Sequence, residues 1–191
     1  MTPSGLLVLV VGPSGSGKDT LIDGACRALA NDPTVVFPRR DITRPADAGG
    51  EDHHAVTPEE FRAGRAAGSY ALAWEAHGLG YGIPAAVLGD LAAGRTIVVN
   101  VSRGVIDEAR RLARVQVLSL TVPAEVLRRR LAARGRESTA DVEARVARAE
   151  AFAVTGPDVV TVVNDGSVEA ALAQILDAIR ADRQPPAASS N

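Results

Sequence analysis

The chain has 191 residues, of which 46% are hydrophobic and 23% are charged, as is usual for globular proteins. Its formal charge of -2 gives no support to a protein that coats nucleic acid, because such a protein needs an excess of Lys and Arg. The only cysteine, Cys26, excludes an intrachain disulfide and is expected to be buried. The apolar run Leu6–Val11 is too short to span a bilayer and follows no basic segment typical of a signal peptide. We therefore expect a cytoplasmic protein without membrane or nucleic-acid partners.

Four short apolar runs rich in β-branched residues predict strands covered on both faces of a mostly parallel sheet. They are Leu6–Val11, Thr96–Val101, Val115–Val122 and Val159–Val163. Segments with helical spacing alternate with these runs, at Lys18–Ala30, Gly104–Ala113, Pro123–Ala133 and Ser167–Arg180. Because alternating strands and helices form βαβ units, the sequence predicts an α/β layer fold.

Residues 38–94 form a section that is richer in Gly, Pro and polar side chains. One helix signal stands out in it, since Thr57-Pro58-Glu59-Glu60 offers an N-cap, a proline at the first helical position and a capping-box glutamate. Further along, the basic stretch 128–137 precedes a second cap at Ser138 or Thr139, which predicts a lid. We expect a single domain over 1–183, with a core of 1–37, 95–127 and 153–183, a substrate-binding insertion at 38–94, a lid at 128–152 and a disordered tail at 184–191.

A glycine-rich loop joins the first predicted strand to the first predicted helix. Gly12 and Gly17-Lys18 match the G-x-x-x-x-G-K pattern of a P-loop, in the strand and helix context that this motif requires. Glycine at 12, 15 and 17 is expected to give positive φ and to turn backbone amides toward an anion, and Lys18 to reach the β- and γ-phosphates. The motif predicts a three-layer P-loop fold that binds a nucleoside triphosphate, most simply ATP, through Gly12, Pro13, Ser14, Gly15, Ser16, Gly17, Lys18, Asp19 and Thr20.

The residue after Lys18 departs from the motif, because Asp19 stands where Ser or Thr usually binds Mg²⁺. A carboxylate beside a triphosphate is repulsive unless a cation lies between them, so Asp19 is a candidate Mg²⁺ ligand. The expected acidic residue of the strand at 97–101 is replaced by Asn100, which Asp19 would compensate. The alternative is that Asp19 only complements the helix N-terminus while Thr20 holds the metal.

Over nearly its whole length the chain resembles guanylate-kinase-like P-loop kinases. The resemblance lies in GPSGSGK, in Ile42-Thr43-Arg44-Pro45, in the stretch from Trp74 to Gly82, in the lid at Arg130–Gly135 and in Asn164-Asp165-Gly166. The positions that read guanine in that family are Ala73 and Ile83 here, and Ala46 replaces a second phosphate-binding arginine. A base-reading pocket loses discrimination without its hydrogen-bonding partners, so the pattern indicates a phosphorylated acceptor other than guanosine monophosphate.

A narrower family, the ribose 1,5-bisphosphate phosphokinases of phosphonate utilisation, resembles the chain in GPSGSGKD, ITR, YG, RGRE, NDGS and the N-x-SRG segment. This resemblance implies transfer of a phosphoryl group from ATP, with Mg²⁺, to a phosphorylated sugar, giving 5-phosphoribosyl diphosphate. A phosphate acceptor is already anionic and needs no general base, which agrees with the lack of a clear catalytic carboxylate. The implied catalytic residues are Lys18, Arg130, Arg134 and Arg145, with Asn164 at the nucleotide and Arg40, Arg44, Glu51, His53, Tyr81, Asn100, Ser102 and Arg103 at the substrate.

Two alternatives remain open from the sequence. One is a nucleoside monophosphate kinase with altered base choice, and the other is a guanylate-kinase-like binding module without catalysis. The intact Gly17-Lys18 pair and the set of arginines argue against the binding module. The oligomeric state is not defined by the sequence, and a homodimer is one possibility.

Overall fold

The computed structural model describes residues 4–48, 51–134, 138–150 and 154–183. The predicted disordered tail lies outside these residues, as do 135–137 and 151–152 of the predicted lid. The strands are β1 (Leu6–Val11), β2 (Val35–Val36), β3 (Asp41–Ile42), β4 (His54–Ala55), β5 (Tyr70–Ala76), β6 (Leu79–Pro84), β7 (Thr96–Asn100), β8 (Arg114–Thr121) and β9 (Val159–Val163). The helices are α1 (Lys18–Ala28), α2 (Pro58–Ala66), α3 (Val87–Ala92), α4 (Ile106–Leu112), α5 (Ala124–Arg134), α6 (Thr139–Glu150) and α7 (Val168–Arg183), and a 3₁₀ turn at Arg103–Val105 precedes α4.

All four predicted strands are confirmed, and they belong to a mostly parallel five-stranded sheet with the order β2-β7-β1-β8-β9. Every residue of β1 is buried, as expected for a strand covered on both faces. The same expectation was wrong for β9, where the side chains of Val160 and Val163 are 38% and 37% exposed. β9 is more exposed because it is an edge strand in the described part of the chain, where it pairs only with β8.

The chain divides into two compact units, one made of the residues up to Leu9 with Leu29–Val115 and the other of Val10–Ala28 with the residues from Gln116 onward. The first unit contains a second sheet with the order β4-β3-β6-β5, which the sequence did not predict. Its main part is an antiparallel hairpin of β5 and β6. The hairpin turns at His77 and Gly78, which have φ of 52° and 76°, the left-handed backbone that two-residue hairpin turns require.

Two aromatic rings lie against strand β6 and explain why two of its positions are glycine. A Cβ added at Gly80 would come within 2.6 Å of the Phe61 ring, and one at Gly82 within 2.4 Å of the Tyr70 ring. Phe61 and Tyr70 also contact each other, with ring centroids 5.5 Å apart. Phe61 belongs to α2, whose predicted capping box at Thr57 is confirmed. The glycines therefore let α2 and β5 pack closely on β6.

In the second unit, α5 and α6 form a helix pair joined by an apolar cluster of Leu127, Leu131, Val142 and Val146. Arg128 links the two helices, since its guanidinium donates to both carboxylate oxygens of Glu143 at 2.7 and 3.1 Å. Ser138 caps α6 by accepting a hydrogen bond from the backbone of Asp141 at 3.2 Å, as predicted. The helix predicted at Pro123–Ala133 is confirmed as α5, which includes the first part of the basic stretch as far as Arg134.

Helix α1 packs against α7 in the same unit, where Leu172 lies against Gly24. Cys26, also on α1, is exposed, so the prediction that it is buried was wrong. No helix in the described part of the chain combines the length and the apolar character that a membrane crossing needs.

Candidate active site

The phosphate loop lies between β1 and α1, and two of its three glycines have the predicted backbone. Gly15 and Gly17 have φ of 86° and 88°, values that side chains strongly disfavour. The prediction was wrong for Gly12, which does not have a positive φ. Gly12 is needed for space, because an added Cβ would lie 2.9 Å from Ser16 Oγ and 3.0 Å from Leu120.

Lys18 begins α1 and turns its ammonium group back onto the loop. Its Nζ donates to the carbonyl oxygens of Gly12 at 2.7 Å and of Pro13 at 3.0 Å. These two bonds hold a positive charge against the start of the loop. The arrangement suits an anion, since the loop combines this cation with the N-terminus of α1.

Asp19 and Thr20 occupy the first turn of α1, and both side chains are exposed. Their carboxylate and hydroxyl oxygens are donors of the type that Mg²⁺ prefers. Among the described residues no group of three His, Cys, Asp or Glu side chains is arranged to hold a metal. Asp19 and Thr20 are the residues of this helix that would hold Mg²⁺.

Asn164 follows β9 and is buried against the phosphate loop. Its side-chain Nδ2 donates to the carbonyl oxygen of Ser16 at 2.8 Å, and its backbone amide donates to Thr121 at 2.9 Å. Its Oδ1 accepts a hydrogen bond from Arg130 Nη2 at 3.2 Å. The residue predicted to contact nucleotide thus joins the loop to an arginine of α5.

The arginines of the lid have different surroundings. Arg128 pairs with Glu125 and Glu143, Arg129 is exposed, and Arg130 bonds Asn164. Arg145 is half-buried on α6. The last predicted catalytic arginine, Arg134, ends α5, and its side chain lies outside the described part of the structure. Only Arg130 of this group is shown next to the phosphate loop.

The predicted substrate residues cluster in the first unit around Arg40, which is buried. Its guanidinium donates through Nε and Nη2 to the carboxylate of Glu51, and through Nη1 to the carbonyl oxygen of Asn100 at 2.8 Å. It also lies 5.2 Å from the ring centroid of Tyr81 and 5.7 Å from that of Trp74, within cation–π range. These two rings stack in parallel with centroids 5.3 Å apart. Arg40 therefore brings together Glu51, Asn100 and Tyr81.

Arg44 and His53 form a second group beside this one. His53 is buried, with Nδ1 3.0 Å from the carbonyl oxygen of Glu51 and Nε2 3.1 Å from that of Arg44. The Arg44 Nη2 atom lies 3.4 Å from His53 Nδ1. The Nε atom of Arg44 is buried and has no hydrogen-bond partner among the residues that the structure describes. His53 thus fixes the loop that carries Arg44.

The last two predicted substrate residues follow β7. The hydroxyl of Ser102 accepts a hydrogen bond from Gly104 N at 3.4 Å and caps the 3₁₀ turn, and Arg103 is exposed at the start of that turn. Neither contributes to the groups around Arg40 and Arg44 in the contacts described.

Comparison with known proteins places this arrangement in a family, although no family model matches the chain. Ribose 1,5-bisphosphate phosphokinase PhnN of Rhodopseudomonas palustris is 50% identical over 183 residues, which cover 95% of this chain and 92% of that protein. The protein of the same name from Agrobacterium fabrum is 44% identical over 94% of this chain and its entire length. The chain belongs to the ribose 1,5-bisphosphate phosphokinase family.

Other family members are longer. The bifunctional ribose 1,5-bisphosphokinase-thymidine phosphorylase of Cupriavidus pinatubonensis is 49% identical over 94% of this chain, which spans 30% of that protein. Among solved structures, the guanylate kinase of Anaplasma phagocytophilum superposes with a TM-score of 0.67 at 21% identity, covering 97% of this chain and 89% of that one. This likeness shows that the phosphokinase family member has the guanylate-kinase-like α/β fold that the sequence predicted.

The structure also shows what replaces the guanine-reading positions in this phosphokinase. Ile83 is fully buried and pairs in register with Leu72, which is buried as well. Ala73 pairs with Gly82, whose face is covered by the Tyr70 ring. Hydrocarbon side chains without hydrogen-bonding groups thus occupy the two positions, and one of them is part of the core.

Sequence reasoning did not predict the contacts of two residues beside these groups. Trp74 is buried, stacks on Tyr81 and lies 5.7 Å from the guanidinium of Arg40. Asp41 was not singled out, yet it accepts a hydrogen bond from the Tyr70 hydroxyl at 3.0 Å and lies 3.1 Å from His54 Nδ1. The alternation of Tyr70, Leu72 and Trp74 was a strand signal that could have placed Trp74 and Tyr81 on one face of a hairpin.

Proposed function

We propose that this chain transfers the γ-phosphoryl group of ATP to ribose 1,5-bisphosphate, giving 5-phosphoribosyl diphosphate and ADP. The observation that carries the proposal is the family membership, with 44–52% identity to proteins named for this activity of which the chain covers 81–100%. The second activity in the name of the bifunctional relatives is not part of the proposal, because the chain spans only 30–31% of their length.

The nucleotide binds at the phosphate loop. Backbone amides that follow Gly15 and Gly17 bind the phosphate oxygens, and Lys18 exchanges its two carbonyl partners for the β- and γ-phosphates. Asp19 or Thr20 holds Mg²⁺, which neutralises charge on the β- and γ-oxygens when bound. The loop residues thus orient the terminal phosphoryl group for attack.

The acceptor is a phosphate and not a hydroxyl. An oxygen of the 1-phosphate attacks the γ-phosphorus, the bond from that phosphorus to the β,γ-bridging oxygen breaks, and ADP leaves with the bond's electron pair. Because the attacking oxygen is already anionic near neutral pH, the protein needs positioning and positive charge but no general base. Arg130 and Arg145 supply charge for the transferring group.

The acceptor's phosphates bind in the first unit. Arg44 is the best placed arginine, since its Nε atom is buried without a partner among the described residues while His53 fixes its loop. Arg40 is already bonded to Glu51 and Asn100, so we assign it to support of Tyr81 and of the pocket wall. Guanidinium groups bind phosphate oxygens in pairs, which a lysine at Arg44 would not reproduce.

A nucleoside monophosphate kinase is the second candidate, supported by the guanylate-kinase-like fold. The burial of Ile83 counts against it, because an isoleucine in the core offers no hydrogen bond to a base.

One experiment distinguishes the two. The protein is incubated with ATP, Mg²⁺ and either ribose 1,5-bisphosphate or a panel of nucleoside monophosphates, and ADP release and product mass are followed. We expect a product of the mass of 5-phosphoribosyl diphosphate with the sugar alone, and none with the Lys18→Met variant. A phosphorylated product from a nucleotide alone would refute the proposal, and no turnover with any acceptor would favour a binding module.

A further inference from the structure

The side-chain amide of Asn164 donates a hydrogen bond to one part of the second unit and accepts a hydrogen bond from another part. The donor bonds the carbonyl oxygen of Ser16 in the phosphate loop at 2.8 Å. The acceptor oxygen bonds the guanidinium of Arg130 on α5 at 3.2 Å. Asn164 itself is 3% exposed and is held by the backbone bond to Thr121, so the amide has little freedom to reorient.

The loop is shaped to admit this amide. A Cβ at Gly17 would lie 2.8 Å from Asn164 Nδ2, so a side chain there would displace the amide as well as strain the backbone. Helix α5 touches the same loop next to this point, where a Cβ at Gly15 would lie 3.2 Å from Leu127 and 3.5 Å from Leu131. Arg130 stands between these two leucines in sequence, so α5 contacts the loop through apolar packing and through the Asn164 bridge.

We infer that Asn164 is a positioning residue that couples the conformation of the phosphate loop to the place of Arg130. The inference rests on the proposed function, in which Arg130 neutralises charge on the transferring phosphoryl group. As a consequence, the positions of the Ser16 carbonyl group, the Asn164 amide and the Arg130 guanidinium depend on one another. Loss of either hydrogen bond then changes nucleotide binding through the same route.

A double-mutant cycle on nucleotide affinity tests this coupling without any acceptor. Wild type, Asn164→Ala, Arg130→Ala and the double variant are titrated by calorimetry with a non-hydrolysable ATP analogue and Mg²⁺. We expect each single change to weaken binding about tenfold, as for loss of a hydrogen bond to a charged group. The double variant should bind the analogue about as weakly as the weaker-binding of the two single variants, because both changes break the same bridge.

Two further variants distinguish the effect of the hydrogen-bonded bridge from the effects of side-chain packing and of the positive charge of α5. Asn164→Leu keeps the volume without polar atoms and should weaken binding about as much as Asn164→Ala, and thermal melting verifies that each variant is folded. Arg129→Ala removes the adjacent, exposed arginine of α5 and should bind the analogue within about twofold of wild type, since its charge is screened by solvent.

The outcomes are distinct. If the two single losses multiply in the double variant, or if Asn164→Leu binds like wild type, the coupling is refuted. If the cycle shows coupling but wild type does not phosphorylate ribose 1,5-bisphosphate, the inference on Asn164 stands and the proposed acceptor fails. For wild type that is active with the sugar, coupling should also appear in kcat, with Arg130→Ala and the double variant equally slow.

Discussion

Arg40 and Glu51 form a paired ionic contact inside the first unit, with side chains only 8% and 20% exposed. The residues next to them in sequence, Arg39 and Asp52, form a contact of the same type on the surface, with side chains 59% and 78% exposed. The two pairs share chemistry and neighbourhood but differ in burial. They therefore offer a matched test of what the buried pair contributes.

Replacing Arg40 by Met should destabilise the protein by about 3 kcal/mol, because it leaves the carboxylate of Glu51 without its partner in a largely buried place. Asp52→Ala, which removes the exposed pair but keeps the hydrogen bond from Arg39 Nη2 to the carbonyl oxygen of His53, should cost less than about 1 kcal/mol. Urea unfolding of both variants measures the difference. Equal losses would show that Arg40 is not a structural support of the acceptor pocket.

A methyl group at Gly82 should destabilise the first unit by about 2 kcal/mol, because the Tyr70 ring occupies its place at 2.4 Å. The control is Gly89→Ala within α3, where nothing lies within 4 Å of the added carbon. That change should stabilise the protein by about 0.5 kcal/mol through helix propensity. Thermal melting that gives the two variants the same sign of change would contradict the packing described here.

The hydroxyl of Tyr70 should titrate far above an ordinary phenol. Burial, followed by the hydrogen bond to Asp41 and its negative charge, raises the pKa of Tyr70 to about 12. The contribution to stability is complete below the pKa of about 10 that an unfolded tyrosine has, and it is lost as the pH rises from there toward 12.

Ionised tyrosine absorbs at about 295 nm, so the absorbance at this wavelength follows the titration of the two tyrosines of the chain. Tyr70→Phe should remove the step at about 12. Asp41→Asn should move that step to lower pH, since the neutral amide no longer opposes ionisation. A Tyr70 step that stays in place in Asp41→Asn would show that the carboxylate does not contribute.

Asp19→Asn should raise the Mg²⁺ concentration needed for half-maximal nucleotide binding about tenfold if the carboxylate is a metal ligand, since a neutral amide binds Mg²⁺ more weakly. Asp23→Asn, on the same helix and also exposed, is the control and should leave the Mg²⁺ dependence unchanged. Calorimetry over a series of Mg²⁺ concentrations measures both. If only Thr20→Ala shifts the dependence, the hydroxyl holds the metal instead.

The phosphate loop and the buried strands beside it could be predicted because their signals are local. The loop motif requires residues adjacent in sequence, and strands β1 and β8 are continuous apolar runs. The bond between Asn164 and Ser16 could not be derived from spacing, because 148 residues separate them and only the folded sheet brings them together. The family resemblance implied that Asn164 contacts the nucleotide, but it did not predict the two side-chain hydrogen bonds of this residue.

The first unit was harder to predict because several of its residues depart from the usual sequence patterns of strands and of phosphate-binding sites. Gly80 and Gly82 suggest a loop in sequence, yet they are glycines so that the rings of Phe61 and Tyr70 can lie on β6. Likewise Arg40, an arginine expected at a phosphate, is buried in contacts with Glu51 and with aromatic rings. Burial of this kind depends on partners far away in the chain, which a single sequence does not reveal.

The tip of the β5–β6 hairpin has a practical consequence. His77 and Gly78 are exposed, and an atom added at Gly78 would meet nothing within 4 Å. Such a tip is where a chain tolerates extra residues, because lengthening it breaks no ladder and uncovers no core. A short peptide carrying a fluorophore could be inserted between these two residues, where it would label the first unit while leaving the stacked pair of Trp74 and Tyr81 in place.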